Sequence, residues 1–387
     1  MKKHILWMLA VTVTASVMIM TSCSDDDDST GRSLDVVEQQ LQQMSLRDKV
    51  GQMFYVRPEV LDTTIHGNLV EVSLQEVNDR MRTMSEDYPV GGVILYAHNI
   101  SDEAQLARFI PQIRSLGGNP LLCIDEEGGR VARIANNPNF NVEKFESMDA
   151  IGQTHDSGKA YYCGHTIGTY LKQYGFDIDF APVADVNTNP ENIVIGKRAF
   201  SDDPEVASAM VVGYLHGLQD TGIIGCIKHF PGHGDTKADT HYGYAQSMKT
   251  WDEMRSCEMK TFMAGIGWGV QLIMTAHIAL PNVTGSDVPS TMSSYILQDK
   301  LRGELGYQNI IITDAMEMGA ITQQYTSAEA AVGCIKAGVD IVLGPQNFVE
   351  AFDAVVDAVK AGTISEERIN QSVRRILLLK HKINNNI

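Results

Sequence analysis

The segment from Lys228 to His241 concentrates residue types that catalyse proton transfer. It reads Lys-His-Phe-Pro-Gly-His-Gly-Asp-Thr-Lys-Ala-Asp-Thr-His and holds three of the chain's 11 histidines. It could form a metal site, because imidazole and carboxylate are common zinc ligands; its candidate ligands are His229, His233, His241 and either Asp235 or Asp239. It could instead be a mobile catalytic loop with Gly232 and Gly234 as flexible points. The spacing matches no established metal signature, and the residue types leave both interpretations open.

Further charged residues directly follow short apolar runs elsewhere in the chain. They are the stretch Asp125-Glu126-Glu127-Gly128-Gly129-Arg130, then Asp185, the pair Lys228-His229, His277 and Asp314. A polar residue after one apolar run would be unremarkable, but acids and bases at five such positions indicate a shared site. Their placement predicts a cup lined with acids, bases and hydrogen-bond donors, as sugar chemistry requires.

The apolar runs themselves indicate the fold. Eight of them are found, at Gln52–Val56, Gly92–Leu95, Leu121–Ile124, Ile178–Phe180, Ile223–Ile227, Gln271–Thr275, Ile310–Thr313 and Ile341–Leu343. Amphipathic helical patterns lie between them, for example Glu103–Leu116, Pro204–Gln219 and Ser293–Leu305. Short apolar strands alternating with helices form parallel sheets. Eight units predict an α/β fold of the TIM (β/α)8 barrel type, with a doubly wound open sheet as the alternative.

The loop from Lys228 to His241 resembles a known family signature. Bacterial β-N-acetylglucosaminidases of glycoside hydrolase family 3 carry Lys-His-Phe-Pro-Gly-His-Gly followed by Asp-Ser-His, and Thr240 replaces the Ser here. Three further stretches match the family in the same order: Ile124–Arg133, Gly196–Phe200 and Ile312–Met318. Together the matches cover almost all of the chain after residue 33.

The resemblance implies roles for individual residues. Asp314 matches the nucleophile, His241 the acid/base and Asp239 the charged partner of His241. The residues matching sugar-binding positions are Asp125, Arg133, Arg198, Lys228 and His229. Arg130 and Asp185 also correspond to this set, although a structural ion pair at the barrel mouth would explain them equally well. No cofactor and no metal is expected, and the implied partner is a carbohydrate.

The implied chemistry is that of a retaining exo-β-N-acetylglucosaminidase. Such an enzyme needs a carboxylate nucleophile below the anomeric carbon and an acid above it that protonates the leaving oxygen. Histidine can serve as the acid because its unperturbed pKa of about 6.5 lies near the operating pH. A neighbouring Asp239 would favour the imidazolium form of His241 and orient the ring. A neutral His241 does not repel an anionic nucleophile, so transfer to phosphate, the reaction of an N-acetylglucosaminide phosphorylase, stays open beside hydrolysis.

Three other functions are compatible with parts of the sequence. A metal-dependent hydrolase would use the loop histidines, and its activity would be lost in EDTA. A non-catalytic glycan-binding protein on an inactive barrel would be expected to lack Asp314 or His241, and both are present. Family β-glucosidases usually take their acid/base Glu from a second domain, which we do not expect here. Peptidoglycan fragments, chitin oligomers and host glycans are all compatible substrates.

The N-terminal residues predict export and lipid anchoring. Lys2 and Lys3 precede an apolar run, Ile5–Met20, that is short for a membrane span. Cys23 follows small residues, as in bacterial lipoprotein signals, and the acidic run after it resembles the surface-export signal of Bacteroidetes lipoproteins. We therefore expect a signal peptide at 1–22, an acidic tether at 23–33 and a catalytic domain at 34–387. The protein would reside in the cell envelope and contact the membrane only through a lipid on Cys23.

Composition limits the remaining possibilities. The chain has 387 residues, is 44% hydrophobic and carries a formal net charge of −17. That length suffices for a large core, and the charge argues against binding to nucleic acid or anionic lipid. Cys123 and Cys226 lie inside apolar runs, so they are expected to be small buried hydrophobic residues rather than disulfide partners. No feature of the sequence indicates an oligomeric state.

Overall fold

The computed structural model describes residues 25–62, 73–236 and 245–385, with side chains described from residue 34 onward. The strands are β1 Phe54–Val56, β2 Gly92–Leu95, β3 Leu121–Ile124, β4 Ile178–Asp179, β5 Ile224–Phe230, β6 Ala245–Gln246, β7 Leu272–Thr275, β8 Ile278–Ala279, β9 Ile310–Thr313 and β10 Val342–Leu343. The helices are α1 Asp25–Gln43, α2 Leu46–Gln52, α3 Asp79–Asp87, α4 Glu103–Arg114, α5 Met148–Gly152, α6 Ser157–Tyr174, α7 Pro204–Asp220, α8 Trp251–Ser256, α9 Glu258–Trp268, α10 Pro281–Thr284, α11 Gly319–Thr322, α12 Ser327–Ala337, α13 Phe348–Lys360 and α14 Glu366–Asn385.

Eight of the strands form a parallel barrel. Their order is β10-β1-β2-β3-β4-β5-β7-β9, and every neighbouring pair is parallel. A parallel bridge between Ile312 and Ile341 joins the two ends and closes the ring. The short strands β6 and β8 pair separately, beside the barrel. The prediction of a TIM-type barrel is therefore confirmed, and the open doubly wound sheet is excluded.

The apolar character of the strands follows from their double burial. One face of each strand points into the barrel and the other packs against the outer helices, so parallel strands are apolar along their whole length. Strand β9, Ile-Ile-Ile-Thr, is buried at all its residues, and so are β2 and β3. The eight predicted apolar runs consequently coincide with the eight barrel strands to within a few residues.

Strand β5 differs from its predicted form. Lys228 and His229 were expected to follow the strand, but β5 continues through them to Phe230. The Lys228 carbonyl accepts the Ala184 N–H at 2.6 Å, and pairing with β7 shifts register between Ile227 and Phe230. Lys228 and His229 can lie within a buried strand because ion pairs and hydrogen bonds inside the barrel compensate for the burial of their polar groups. The segment predicted as helix 293–305 also differs, since residues 295–304 form a π-helix.

The N-terminal helix α1 packs on the C-terminal helix α14. Val37 and Leu41 are buried there, and Glu38 forms an ion pair with Arg374. The helix begins at Asp25, so residues 25–33 of the predicted tether are helical. Residues 1–24, with the predicted signal peptide and Cys23, lie outside the described part of the chain. Within that part, no helix has the length and apolarity needed to cross a membrane.

The cysteines of the described residues carry no disulfide. Cys123, Cys163, Cys226 and Cys334 are buried free thiols, and Cys257 is a half-buried one. The prediction that Cys123 and Cys226 act as small buried hydrophobic residues is confirmed.

Candidate active site

A pocket opens at the ends of the barrel strands where the polar residues were expected. Its volume is about 600 Å³. Its lining consists of Asp125, Glu127, Arg130, Val131, Arg133, Ile193, Val194, Ile195, Arg198, Lys228, His229, His233, Asp314 and Met318. The structure thus brings together Asp314 and all the predicted sugar-binding residues except Asp185. The predicted catalytic residues Asp239 and His241 lie outside the described residues.

Asp314 lies immediately after β9, at the floor of this pocket. Its Oδ1 accepts the N–H of Ala315 at 2.7 Å, and its own N–H is bonded to the Thr275 carbonyl at 3.0 Å. Burial alone would raise the pKa of Asp314, but the neighbouring His229 and His277, the Ala315 hydrogen bond and the charge of Lys228 outweigh it and hold the pKa below its ordinary value. The carboxylate is therefore ionised and its orientation is fixed by rigid backbone.

Asp125, which follows β3, is the acceptor at the centre of a cationic group. Lys228 Nζ lies 2.8 Å from its Oδ1, and Arg133 Nη2 lies 3.3 Å from its Oδ2. Burial opposes ionisation, yet the charges of Lys228 and Arg133 hold the pKa of Asp125 below its usual range. The guanidinium of Arg133 also lies over the Tyr96 ring, 5.8 Å from its centroid. A pocket wall made of one carboxylate between two cations offers both acceptors and donors to sugar hydroxyls.

Glu127 bridges Arg198 and Lys228, a role that its place in the sequence did not predict. Its two oxygens accept from Arg198 Nε at 2.8 Å and Nη2 at 2.7 Å, and Lys228 Nζ lies 2.6 Å away. The bidentate ion pair with Arg198 is buried on both sides, and it holds the pKa of Glu127 far below normal despite burial. The only signal in the sequence was its place in the Asp125–Arg130 stretch, since Arg198 is 71 residues away.

A double-glycine turn allows this stretch to curl back over the pocket. Gly128 and Gly129 have φ values of 90° and 62°, a region that other residues adopt only with strain. The turn is closed by an antiparallel bridge between Gly128 and Val131. Beyond it, the carboxylate of Glu126 accepts the backbone N–H groups of Arg133 at 2.5 Å, Ile134 at 2.9 Å and Ala135 at 2.8 Å. The buried Glu126 thereby fixes the backbone that carries Arg133.

His229 reaches the pocket from β5 and is oriented by Asp185. Its Nδ1 lies 2.7 Å from Asp185 Oδ2, while its Nε2 lies 3.3 Å from Arg198 Nη2. Asp185 also accepts the backbone N–H of His233 at 2.6 Å. Burial disfavours the charged form of Asp185, but His229 and these hydrogen bonds lower its pKa. Asp185 is thus placed behind His229 and away from the pocket surface, a supporting position rather than the predicted contact with sugar.

Arg130 lies at the rim and is bound to backbone. Its Nη2 donates to the carbonyl of Ile193 at 3.0 Å and to that of Val194. It ties the loop after β3 to the loop after β4. Its position is therefore at the pocket entrance, outside the cluster around Asp125.

His277 supports the backbone next to Asp314. It is buried, and its Nε2 lies 3.0 Å from the carbonyl of Ala315. Because a carbonyl only accepts, Nε2 carries the proton. Burial lowers the pKa of His277. The sequence showed His277 after an apolar run, but its target, a main-chain carbonyl 38 residues away, has no sequence signal.

The described part of the histidine-rich loop is well ordered by hydrogen bonds. His233 is buried, and its Nδ1 lies 2.7 Å from the hydroxyl of Thr236. Within residues 25–62, 73–236 and 245–385, no group of three or more His, Cys, Asp or Glu side chains is arranged to hold a metal ion. His229, one of the candidate metal ligands, directs one ring nitrogen at Asp185 and the other at Arg198. What the described residues form is a charged pocket with a fixed carboxylate at its floor.

Comparison with family models identifies one domain. The Glycosyl hydrolase family 3 N terminal domain matches residues 45–379. That range contains the whole barrel and every residue of the pocket.

Relatives of known name agree with this match. The chain is 33% identical over 325 residues to Beta-hexosaminidase A of Pseudoalteromonas piscicida, covering 76% of this chain and 54% of that protein. It is 32% identical over 294 residues to Beta-hexosaminidase of Stenotrophomonas maltophilia strain K279a, covering 74% of this chain and 86% of that protein. The chain therefore spans about half the length of the first relative and most of the second.

The fold is likewise shared with a solved structure. A glycoside hydrolase family 3 beta-N-acetylglucosaminidase from Paenibacillus sp. strain FPU-7 superposes with a TM-score of 0.81 at 34% sequence identity. The similarity covers 89% of this chain and 64% of that one.

Proposed function

The chain belongs to glycoside hydrolase family 3, and from that premise we propose that it is a retaining exo-β-N-acetylhexosaminidase. The proposed substrate is a glycan with a terminal, non-reducing β-linked N-acetylhexosamine. The observation that carries the proposal is the ionised carboxylate of Asp314 at the floor of a pocket lined by cations. The names of the relatives support the choice of sugar.

The first proposed step forms a covalent glycosyl-enzyme. A carboxylate oxygen of Asp314 bonds to the anomeric carbon while the bond from that carbon to the leaving oxygen breaks. His241, as imidazolium, gives its proton to the leaving oxygen, and Asp239 stabilises that imidazolium. In the second step, neutral His241 takes a proton from water, the water oxygen bonds to the anomeric carbon, and Asp314 is released. Asp314 suits its role because its charge and orientation are set before substrate arrives.

The terminal sugar is proposed to bind against Asp125, Arg133, Arg198, Lys228 and His229. Adjacent sugar hydroxyls are donors and acceptors at once, so they match a wall in which Asp125 alternates with Lys228 and Arg133. The buried pair of Glu127 and Arg198 holds the inner end of this wall. Such an end accommodates a chain terminus, which is consistent with exo action. A buried site that bonds hydroxyls also rejects analogues that lack them, because its charged groups would be left unpaired.

The test is a panel of aryl β-glycosides of GlcNAc, GalNAc, glucose and xylose, assayed with and without inorganic phosphate. The proposal expects N-acetylhexosaminides to be cleaved with retention of configuration and without need of phosphate. An enzyme that cleaves only glucosides, or requires phosphate and releases a sugar phosphate, would contradict it. Full activity in EDTA would exclude the metal-dependent alternative.

We also propose that the protein is anchored in the cell envelope by a lipid on Cys23. The support is the arrangement of Lys2, Lys3, the apolar run and Cys23 in the sequence. Because the protein carries a large negative net charge, electrostatic attraction to an anionic membrane surface would not add to the lipid anchor.

A further inference from the structure

Ile193 is an apolar side chain exposed at the entrance of a charged pocket. It lines the pocket, and its exposed fraction is 75%, the largest among the exposed large hydrophobic residues of the described chain. The charged residues deeper in the same pocket are far less exposed; Lys228, for example, is 2% exposed. A single exposed apolar residue is ordinary on a protein surface, but Ile193 lines the pocket together with Val131, where a bound ligand would cover both and gain the free energy of their burial.

The loop that carries Ile193 is held in place on both sides of that residue. The Asn192 side chain accepts the N–H groups of Val194 at 3.0 Å and Ile195 at 2.9 Å, and its amide donates to the His233 carbonyl at 2.8 Å. Ile195 is fully buried and packs in a small apolar cluster with two neighbours of the same region. The loop therefore turns Ile195 inward and Ile193 outward, and the outward direction is set by hydrogen bonds to buried groups.

Arg130 joins this loop to the one that follows β3. Its hydrogen bonds to the carbonyls of Ile193 and Val194 bring Val131, the next residue, to the same rim. Val131 is half-buried and held by its bridge to Gly128. The rim thus presents two apolar side chains on a fixed backbone, above a floor of ion pairs.

We propose that Ile193 and Val131 form the subsite for the leaving group, which we call the apolar rim. It binds the apolar face of the sugar ring next to the scissile bond, or an aryl group in its place. This inference rests on the proposed function. The terminal sugar takes the charged floor beside Asp314 and Lys228, so the ring on the other side of the bond lies toward the entrance, where the rim is. Arg130 is then a positioning residue, which acts by holding the rim.

The test compares Ile193→Ser with the unaltered protein on N,N′-diacetylchitobiose, with free N-acetylglucosamine as competitive inhibitor. Loss of one apolar contact of this size lowers kcat/KM for the disaccharide by about tenfold. The inhibition constant of N-acetylglucosamine changes less than about twofold, because that sugar occupies only the floor. Ile193→Val keeps most of the contact and most of the activity. Met263→Ser serves as the control, since Met263 is 55% exposed on α9 and does not line the pocket.

Each result separates the possible explanations. An unchanged kcat/KM in Ile193→Ser overturns the rim subsite while leaving the proposed function intact. Equal weakening of the disaccharide and of N-acetylglucosamine inhibition assigns Ile193 to the terminal-sugar site and also overturns it. Failure of the unaltered protein to cleave any β-N-acetylhexosaminide refutes the proposed function itself. Arg130→Met should reproduce the selective loss, and a loss in Arg130→Met that extends to N-acetylglucosamine binding would contradict its role as a positioning residue.

Discussion

The charged side chains of the pocket keep one another ionised. Asp125, Glu127 and Asp314 are each buried enough to favour the neutral acid, yet all three have a lowered pKa. Cations lie beside Asp125 and Glu127, and Asp314 faces His229, His277 and the N–H of Ala315. Burial would lower the pKa of Lys228, but the carboxylates of Asp125 and Glu127 raise it in return. A nucleophile in this setting needs no proton removed before it reacts. The titrating group near neutral pH should therefore be the acid/base.

The pH dependence of kcat/KM should report the ionisation of the acid/base, because the nucleophile does not titrate near neutral pH. Because the pKa of Asp314 lies below its ordinary 3.8, the nucleophile stays ionised above about pH 4. Activity should fall on the alkaline side as His241 loses the proton that the leaving group needs. With dinitrophenyl β-N-acetylglucosaminide, whose leaving group needs little protonation, this alkaline fall should shrink. A fall of the same size with both types of leaving group would assign it to another residue.

Substitution of His241 tests its proposed role as the acid/base. His241→Ala should slow cleavage of substrates with poor leaving groups by about 100-fold or more and of dinitrophenyl substrates far less in the first step. Azide should partly restore turnover of activated substrates and yield a β-glycosyl azide. Asp239→Asn should act in the same direction but more mildly, and the alkaline limb should move to lower pH. Equal losses for all leaving groups in His241→Ala would contradict the acid/base role.

At the scale of elements, the barrel could be predicted because burial on both faces makes each parallel strand an apolar run. The end of β5 could not be predicted, because Lys228 and His229 are residue types common in loops and the groups that compensate for their burial are distant in the sequence. Those partners, Glu127 and Asp185, belong to other strand ends and come close only in the closed barrel. Most residues that the family motif singled out lie together in the described pocket, and their roles remain predictions. Glu127 and His277 could be recognised only as polar residues after apolar runs, because the groups they contact lie far away in the sequence.

Glu126 allows a test of how the loop after β3 is held. Its carboxylate is fully buried and accepts three backbone N–H groups and the Tyr170 hydroxyl, the last at 2.9 Å. Glu126→Ala should lower the free energy of unfolding by about 3 kcal/mol, since it leaves buried donors unpaired. It should also raise KM, because the backbone of Arg133 loses its support. Urea unfolding with parallel kinetics measures both.

The matched control is Glu205→Ala, which removes an exposed ion pair with Lys260. This substitution should lower the free energy of unfolding by less than about 1 kcal/mol, because solvent screens exposed ion pairs. If Glu126→Ala were as mild as this control, the loop would be held by other contacts. If Glu126→Ala lowered the free energy of unfolding while KM stayed constant, Glu126 would support the barrel without positioning Arg133.

At the scale of the whole molecule, the barrel follows an N-terminal segment that we propose serves as a lipid anchor. Helix α1 links the barrel to residues 1–24 and packs on α14 through Val37, Leu41 and the Glu38–Arg374 pair. The pocket opens at the carboxyl ends of the strands, as the chemistry of TIM barrels requires. An anchored enzyme of this kind would act on glycans that reach the envelope.

Anchoring is tested by Cys23→Ser. Without an acceptor for lipid, the protein should move from the membrane fraction to the soluble fraction after cell lysis, while activity on aryl N-acetylhexosaminides remains. Ser22→Ala, which keeps the cysteine, is the control and should stay in the membrane fraction. Retention of Cys23→Ser on membranes washed with high salt would refute the lipid anchor.

The proposed covalent intermediate on Asp314 can be trapped with a slow fluorinated N-acetylglucosaminyl substrate. Trypsin then places the candidate carboxylates on separate peptides: residues 303–336 contain Asp314, residues 115–130 contain Asp125, and residues 238–249 contain Asp239. If Asp314 is the nucleophile, mass spectrometry finds the sugar on peptide 303–336, fragmentation locates it at Asp314, and Asp314→Asn takes up no label. A label on peptide 115–130 or 238–249, or turnover of the substrate by Asp314→Asn at the rate of the unaltered protein, would contradict it.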